Sequence, residues 1–425
     1  MPNPDRPPAV PPATRALAQI GPGLLVAAAG IGAGDIVSAT IAGSRHGVAL
    51  VWVVALAALL KAVLNEGIAR WQLATGTTAI EGWFTHLPRW VPWFFGLYLV
   101  LWTVSVSAAL TSACGLAVAT LTGNVVSRPW GAVGHALAGG ALVAAGGFAG
   151  FERVMKVLIG TMFFAIVTCA ALTFRDPAAA LRGLLVPSVP AGDAASVLSV
   201  LGGVGGSIAM LAYNYWMREE GMAGREWLPF VRRDIAIAYV FTAVFGAAVM
   251  VVATAAFHLP GIAITNAQAV TRMAETLAET IGPAGFYAYA VGFWAAVFAS
   301  LLGVWQSLPY LFADYYGLLR GYPRGTRARL TTVTSTQYRL ALLFVVLVPL
   351  PFAFVDQPLF IIRTFTIVGS LFIPFLAATL LYLNNVKLPR ESGVPRNSAL
   401  VNAALVLALV VFAAVVAAEA GLLRW

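Results

Sequence analysis

The feature that most constrains this chain is a series of long, almost unbroken apolar runs. Each is about as long as the roughly 20 residues that an α-helix needs to cross a bilayer. The runs are rich in Ala, Leu and Val and do not alternate with polar residues, which favours helices over the strands of a membrane barrel. We number eleven predicted spans, at about 24–44, 48–70, 92–121, 131–149, 153–173, 197–217, 235–257, 284–312, 338–355, 362–383 and 398–421.

The composition agrees with an all-α integral membrane protein. Only 10% of the 425 residues are charged, against about 25% in soluble domains. The net charge of +9 comes without a long basic run, so it indicates basic membrane loops and not nucleic acid binding. Cys114 and Cys169 lie in apolar runs, and the four histidines lack zinc-site spacing. We therefore expect a lipid bilayer around the chain, no nucleic acid partner and no cofactor.

The distribution of Lys and Arg predicts the orientation of the spans. With the N-terminus inside, 18 basic residues fall in inner connections and 7 in outer ones, as the positive-inside rule requires. The Pro-rich residues 1–20 are predicted to be a disordered cytoplasmic tail, and residues 21–425 a single transmembrane domain. An odd number of spans places the C-terminus outside, and we expect location in the plasma membrane.

Glycine clusters interrupt two of the spans. Residues 30–35, GIGAGD, lie in span 1, and residues 202–207, GGVGGS, lie in span 6. Glycine disfavours a helix interior by about 1 kcal/mol, so both clusters predict a break in the helix. Spans 1 and 6 begin two predicted repeats, at about 24–173 and 197–383, with an extra span at about 398–421. Paired broken helices of this kind indicate a transporter binding site; the alternative is that the glycines only permit close helix packing.

Asp35 is the sharpest candidate for binding. A carboxylate near the bilayer centre costs roughly 2.5–3.5 kcal/mol, so a cation or a partner charge is expected beside it. Backbone carbonyls freed near Gly32 and in residues 203–207 would complete a site for a hard cation. The alternative is that Asp35 caps the second half of its helix by accepting backbone N–H bonds. Both roles are compatible.

Span 6 continues from the glycines into residues with possible ligand atoms. Met210 carries a thioether, which suits softer transition metals, although Met is more often core filler. Asn214 offers an amide oxygen. The predicted binding set is therefore Asp35, Gly32, Gly206, Ala209, Met210 and Asn214.

Span 2 carries an unusual density of polar residues. Lys61 and Asn65, and Glu66 and Arg70, are spaced i,i+4 and are predicted to pair. We interpret them as a structural polar network near the inner mouth, with a proton path as the alternative. The candidates for lining the pathway are Gly34, Ser207, Tyr213, Lys61, Asn65, Glu66, Gln306 and Thr366. No GxSxG, HExxH or Walker-A motif is present, so we do not expect an enzyme.

Several motifs resemble the NRAMP family of divalent metal-ion transporters. Residues 21–26, GPGLLV, lead to residues 31–35, IGAGD, and residues 74–76, ATG, follow span 2. The resemblance implies a LeuT-like 5+5 inverted repeat, alternating access and a central site between spans 1 and 6. The family's metal-binding Asp aligns with Gly32 and its Asn with Asp35. Its Met-Pro-His falls near residues 209–211, AML, and its span 3 acids are missing from residues 101–116.

Three functions therefore stay open. The first is a secondary transporter of divalent metal cations, with Mn²⁺ or Mg²⁺ favoured and weak or no proton coupling. The second keeps the fold but carries a small organic amine or zwitterion, with Asp35 pairing its ammonium group. The third is a receptor or channel, against which the paired broken helices argue. We expect a monomer in each case.

Overall fold

The computed structural model describes residues 21–173, 176–190, 193–261, 269–356 and 358–419. The predicted tail at residues 1–20 lies outside these ranges. Within them the chain is helical and contains no strand. The prediction of an all-α protein is therefore confirmed for the described residues.

The first half of the described chain consists of α1 Pro22–Gly30, α2 Ala33–His46, α3 Val51–Thr75, α4 Ala79–His86, α5 Trp90–Leu121, α6 Arg128–Thr173 and α7 Pro177–Leu185. The second half consists of α8 Ala194–Gly203, α9 Ala212–Glu219, α10 Leu228–Ala253, α11 Ala269–Ile281, α12 Pro283–Leu319, α13 Arg324–Leu330, α14 Thr336–Leu347, α15 Pro358–Ser370, α16 Phe372–Tyr382 and α17 Ala399–Glu419. Short π-helical or 3₁₀ turns extend several of these helices.

Eight segments of the described chain are long and apolar enough to cross a membrane. The last predicted span corresponds to a shorter apolar stretch, Ala399–Ala414, so the count of eleven spans stays a prediction. Predicted spans 4 and 5 lie on α6, whose helical conformation is interrupted at Gly147. The connection expected at residues 150–152 was therefore misplaced. Gly147 has a φ of 56°, which glycine adopts without strain.

Both predicted helix breaks are confirmed. Span 1 is divided into α1, which ends at Gly30, and α2, which begins at Ala33. Span 6 is divided into α8 and α9, with a 3₁₀ turn at Ile208–Leu211 between them. Gly205 and Gly206 in this break have φ values of 80° and 76°, a region that favours glycine.

The two breaks lie directly against each other. A Cβ atom added to Gly30 would lie 2.8 Å from the carbonyl carbon of Gly205. A Cβ atom added to Gly206 would lie 3.0 Å from the Cα atom of Gly30. Only glycine therefore permits this approach of one backbone to the other.

The long helix α12 holds the broken helices in place. It packs against α1, α5 and α6, and most of its residues are buried. Ser300 of α12 donates a hydrogen bond of 2.7 Å to the carbonyl oxygen of Ala29, next to the first break. This bond satisfies a carbonyl near the end of α1, where helical partners run out.

Candidate cation site at the paired helix breaks

Asp35 connects the two breaks through hydrogen bonds from backbone amides. It lies in the first turn of α2, and only 1% of its surface is exposed. Its carboxylate accepts a bond of 2.8 Å from Gly205 N and one of 3.3 Å from Gly32 N. Asp35 thus caps its own half-helix, as the sequence allowed, and also fastens span 1 to span 6.

Lys61 of α3 lies at the same place and supplies the opposite charge. Its side chain is buried, and Nζ donates a bond of 3.1 Å to Gly202 O and a short one to Val204 O. These carbonyls lie at the end of α8, where the helix stops. The ammonium and the Asp35 carboxylate interact through space, without a direct ion pair, because each is bonded to backbone.

The predicted pairing of Lys61 with Asn65 was wrong. Lys61 donates to carbonyls of span 6 instead, which lie where α8 ends and helical partners are lacking. Asn65 is fully buried, and neither amide atom has a hydrogen-bond partner in the described part of the chain. The Tyr239 hydroxyl of α10 is also buried without a partner there. Such groups usually meet water or a ligand.

The other predicted residues of span 1 and span 10 lie close by. Gly34 faces α15, since a Cβ atom added to it would lie 3.0 Å from the Phe365 ring and 3.2 Å from Thr366 Cγ2. It also faces Gly203 O, at 3.6 Å. Thr366 is buried. The predicted pathway residues Gly34 and Thr366 therefore border the span 6 break.

The predicted span 6 residues divide into two groups. Ser207, Ala209 and Met210 are buried in or next to the 3₁₀ turn that follows the glycines. Asn214 lies further along, on α9, where its amide oxygen accepts a bond from Ala79 N at 3.2 Å. Its amide nitrogen is directed to the Ile68 carbonyl at 3.4 Å. The structure therefore commits Asn214 to the start of α4 and to the C-terminal half of α3. Its role as a ligand stays a prediction.

Asp234 is a buried acid that the sequence reasoning missed. Its carboxylate accepts a bond of 2.7 Å from Gly23 N, at the start of α1, and one of 2.9 Å from the Tyr213 hydroxyl. A side chain at Gly21 or Gly23 would collide with this carboxylate. The glycines at 21 and 23 thus leave space for the Asp234 carboxylate. In the sequence, the only sign of this contact is that Asp234 is an acid at the edge of an apolar run.

The predicted polar network on span 2 is confirmed at Glu66. This carboxylate binds Arg70 at 2.6 Å and Arg232 of α10 at 2.9 Å. Because Arg70 also donates to the backbone near Arg396, at 2.7 Å, the network joins span 2 to the segment before α17. These contacts are structural ties between helices.

A second buried network lies at the same predicted cytoplasmic end. Asp314 of α12 accepts bonds of 2.9 Å from Thr78 and from Tyr215, and it binds Arg327 at 3.1 Å. Arg327 also binds Glu81 at 2.8 Å. The network thus joins the ends of spans 2, 6 and 8 to the helix α13.

The pathway candidate Gln306 belongs to a neighbouring chain of hydrogen bonds. Its amide oxygen accepts a bond of 2.6 Å from the Trp216 ring, and its nitrogen donates to Tyr310 at 3.3 Å. Tyr310 in turn donates to Glu219 at 2.9 Å. Both polar atoms of the Gln306 side chain are therefore hydrogen-bonded in this conformation, one to α9 and one to α12.

At the predicted outer end, Asp193 ties the end of span 1 to the start of span 6. It binds His46 at 2.8 Å and Arg45 at 3.2 Å, and it accepts bonds from Ser196. Partial burial acts to raise the pKa of this carboxyl. The hydrogen bonds from Ser196, His46 and Arg45 outweigh it and lower the pKa to about 2.

Two cavities occur near the broken spans. One of about 520 Å³ lies at the predicted outer end, between α7 and the ends of α2 and α10, with His46 and His258 in its lining. One of about 30 Å³ lies beside Lys61 and Gly202 and is lined mostly by apolar side chains. No group of three or more His, Cys, Asp or Glu able to hold a metal occurs in the described part of the chain.

Comparison with known proteins gives a family and a fold. The family model described as natural resistance-associated macrophage protein-like matches residues 23–421. The divalent metal cation transporter MntH of Klebsiella pneumoniae is 30% identical over 254 residues, which are 58% of this chain and 60% of that protein. MntH of Chromohalobacter salexigens is 27% identical over 259 residues, or 57% of each chain. The matched region thus spans less than two thirds of these relatives.

Solved structures agree on the fold. The manganese transporter of Eremococcus coleocola, in a mutant form, superposes with a TM-score of 0.69 at 15% identity, covering 96% of this chain and 87% of that one. MhsT in complex with L-phenylalanine superposes with a TM-score of 0.61 at 16% identity, covering 93% and 97%. The predicted LeuT-like fold with broken spans 1 and 6 is therefore confirmed.

Proposed function

Because this chain belongs to the Nramp family, we propose that it is a secondary-active transporter that moves divalent metal cations across the membrane by alternating access. We also propose that the chain lies in the plasma membrane with its N-terminus inside and its C-terminus outside. We propose that it acts as a monomer. The chain is proposed to act as a transporter and not as an enzyme.

One observation carries the proposal: Asp35 lies between two helix breaks that touch. The carboxylate bonds across to Gly205, and Gly30 packs against Gly205 and Gly206. In transporters built from inverted repeats, such paired breaks supply the binding site, because backbone groups freed there bind ions. An ionisable residue at this depth is costly and usually belongs to a binding or transport site, which supports the proposal alongside the nearby charge of Lys61.

The available ligands favour a hard ion. Asp35 and the carbonyls of the two breaks are oxygen ligands, which suit Mg²⁺ and Mn²⁺. The thioether nearest in sequence to the glycines of the span 6 break is that of Met210, which is buried in the 3₁₀ turn after them. We propose weak or no proton coupling, since residues 101–116 of span 3 contain no acid.

A flux assay tests this function. The purified chain is reconstituted into liposomes, and uptake of Mn²⁺ and Mg²⁺ is measured for wild type and Asp35→Asn. We expect at least a tenfold loss of uptake in the variant, because the only charge proposed to bind the ion is gone. Asp356→Asn is the control, since its side chain is 99% exposed. Undiminished uptake by Asp35→Asn would refute the role of Asp35.

One observation favours a second candidate, an organic amine or zwitterion. The carbonyls of Gly202 and Val204 already accept a primary ammonium group, that of Lys61. A site that holds one ammonium has the chemistry to hold another. Thermal-shift measurements with amines, amino acids, Mn²⁺ and Mg²⁺ separate the two candidates, because stabilisation by amines alone would favour the second.

A further inference from the structure

We propose that Lys61 is a tethered cation that occupies the oxygen ligands of the broken span 6 and competes with the transported ion for them. This inference rests on the proposed function. It assigns Lys61 the role of a residue that sets affinity and selectivity at the site. Lys61 itself is not proposed to travel or to react.

The first argument is the position of the ammonium. Nζ of Lys61 binds Gly202 O and Val204 O, two oxygens at the point where α8 ends. Freed carbonyls of a broken membrane helix are the groups that coordinate cations in transporters of this construction. The ammonium thus sits where the substrate's ligands are expected.

The second argument is that the surroundings fit this side chain closely. The Lys61 side chain passes Gly205, since a Cβ atom there would lie 3.2 Å from Lys61 Cδ. A buried Lys within a membrane is costly and is kept where it has partners and a function. Its partners here are backbone oxygens of the other repeat, together with the nearby charge of Asp35.

The third argument concerns charge. With Lys61 in place, the single positive charge balances the single negative charge of Asp35. A divalent ion entering beside the ammonium would meet no net attraction and would find two carbonyls already bonded. The ion therefore has to displace the ammonium from the carbonyls. A divalent cation should displace it more readily than a monovalent one, because its attraction to the Asp35 carboxylate and the carbonyls is stronger.

The structure also offers the displaced side chain a place to go. Asn65, one turn further along α3, is buried, and its amide oxygen has no hydrogen-bond partner in the described part of the chain. The Asn65 oxygen thus gives the ammonium an acceptor when it leaves the carbonyls of span 6, and the side chain stays within the protein.

Binding measurements on the purified full-length chain test the proposal. Mn²⁺ and Mg²⁺ are titrated calorimetrically into wild type, Lys61→Met and Lys61→Arg. Lys61→Met keeps the length of the side chain without its charge, and we expect it to bind both Mn²⁺ and Mg²⁺ at least tenfold more tightly than wild type. The gain for Mg²⁺ excludes a contribution from the new thioether, because Mg²⁺ takes oxygen ligands. Lys61→Arg keeps the competing charge, so its affinity should not rise. Equal or weaker binding by Lys61→Met, or tighter binding by Lys61→Arg, overturns the proposal.

A complementation experiment covers the case in which Lys61→Met does not fold. Lys61→Ala leaves space for a free amine, so ethylammonium should bind this variant, stabilise it and compete with Mn²⁺, but should not affect wild type. Failure of ethylammonium to bind Lys61→Ala overturns the proposal.

The two hypotheses fail in different ways. If wild type binds Mn²⁺ through Asp35 and Lys61→Met gains nothing, the tethered cation is refuted and transport stands. If no variant binds Mn²⁺ or Mg²⁺ while ethylammonium still binds Lys61→Ala, divalent transport is refuted, and the ammonium site in span 6 is supported.

Discussion

Replacing Gly206 by alanine tests whether the two helix breaks touch as described. Gly206 has a φ of 76°, a region in which an L-residue is less stable by about 1–2 kcal/mol. The added Cβ atom would lie 3.0 Å from the Cα atom of Gly30. Because this neighbour is backbone and cannot rotate away, the overlap adds about 1–3 kcal/mol.

The combined expectation for Gly206→Ala is a loss of about 2–5 kcal/mol in the free energy of unfolding. Thermal unfolding of the purified chain in detergent measures it, and the flux assay reports whether the broken region still works. Gly160→Ala is the matched control, because Gly160 is helical and nothing lies within 4 Å of its added Cβ atom. There alanine should stabilise the helix by up to about 1 kcal/mol.

The difference in the free energy of unfolding between these two variants tests whether the breaks pack against each other. Destabilisation by Gly206→Ala beyond the roughly 1–2 kcal/mol expected from its φ alone, together with tolerance of Gly160→Ala, supports the close approach. If Gly206→Ala is tolerated as well as Gly160→Ala, the breaks do not pack against each other in this way.

Three further predictions address the ties around the site. Asp234→Ala should lower the free energy of unfolding by about 2–4 kcal/mol, because Gly23 N and the Tyr213 hydroxyl lose a charged acceptor. Chemical unfolding in detergent measures this loss, and a change below about 0.5 kcal/mol would contradict the assignment. Glu66→Gln should cost about 2–3 kcal/mol in the same assay, since two arginines lose their ion-pair partner, and an unchanged midpoint would count against that network. The pKa of Asp193, lowered to about 2 by bonds that include His46, implies stability that is present above pH 4 and lost as the pH falls towards 2. The Tm difference between wild type and Asp193→Asn should therefore shrink over that range, and a constant difference would refute it.

The broken helices were predictable because their signal is local. Glycine clusters within apolar runs disfavour a continuous helix wherever they occur, and the acid Asp35 in one cluster singled out that break as the candidate binding site. The expectation that Asp35 caps its half-helix likewise follows from neighbouring residues alone. The family resemblance supplied the fold, which the structural comparisons confirm.

The contacts of the site were not predictable because their partners are far apart in sequence. Lys61 and Gly202 are separated by 141 positions, and Asp234 and Gly23 by 211. The i,i+4 rule identified the Glu66 network correctly and failed for Lys61, since freed carbonyls on another helix bind the ammonium. Helix periodicity describes one element at a time, whereas these bonds depend on how the two repeats pack.

The position of a bound ion tests the central claim most directly. Crystals grown with Mn²⁺ would locate the ion by anomalous scattering. The account predicts one site between the breaks of spans 1 and 6, with an Asp35 carboxylate oxygen about 2–2.5 Å from the ion and the Lys61 ammonium withdrawn from Gly202. An ion bound elsewhere, with Asp35 still bonded to Gly205 and Lys61 still on its carbonyls, would contradict it.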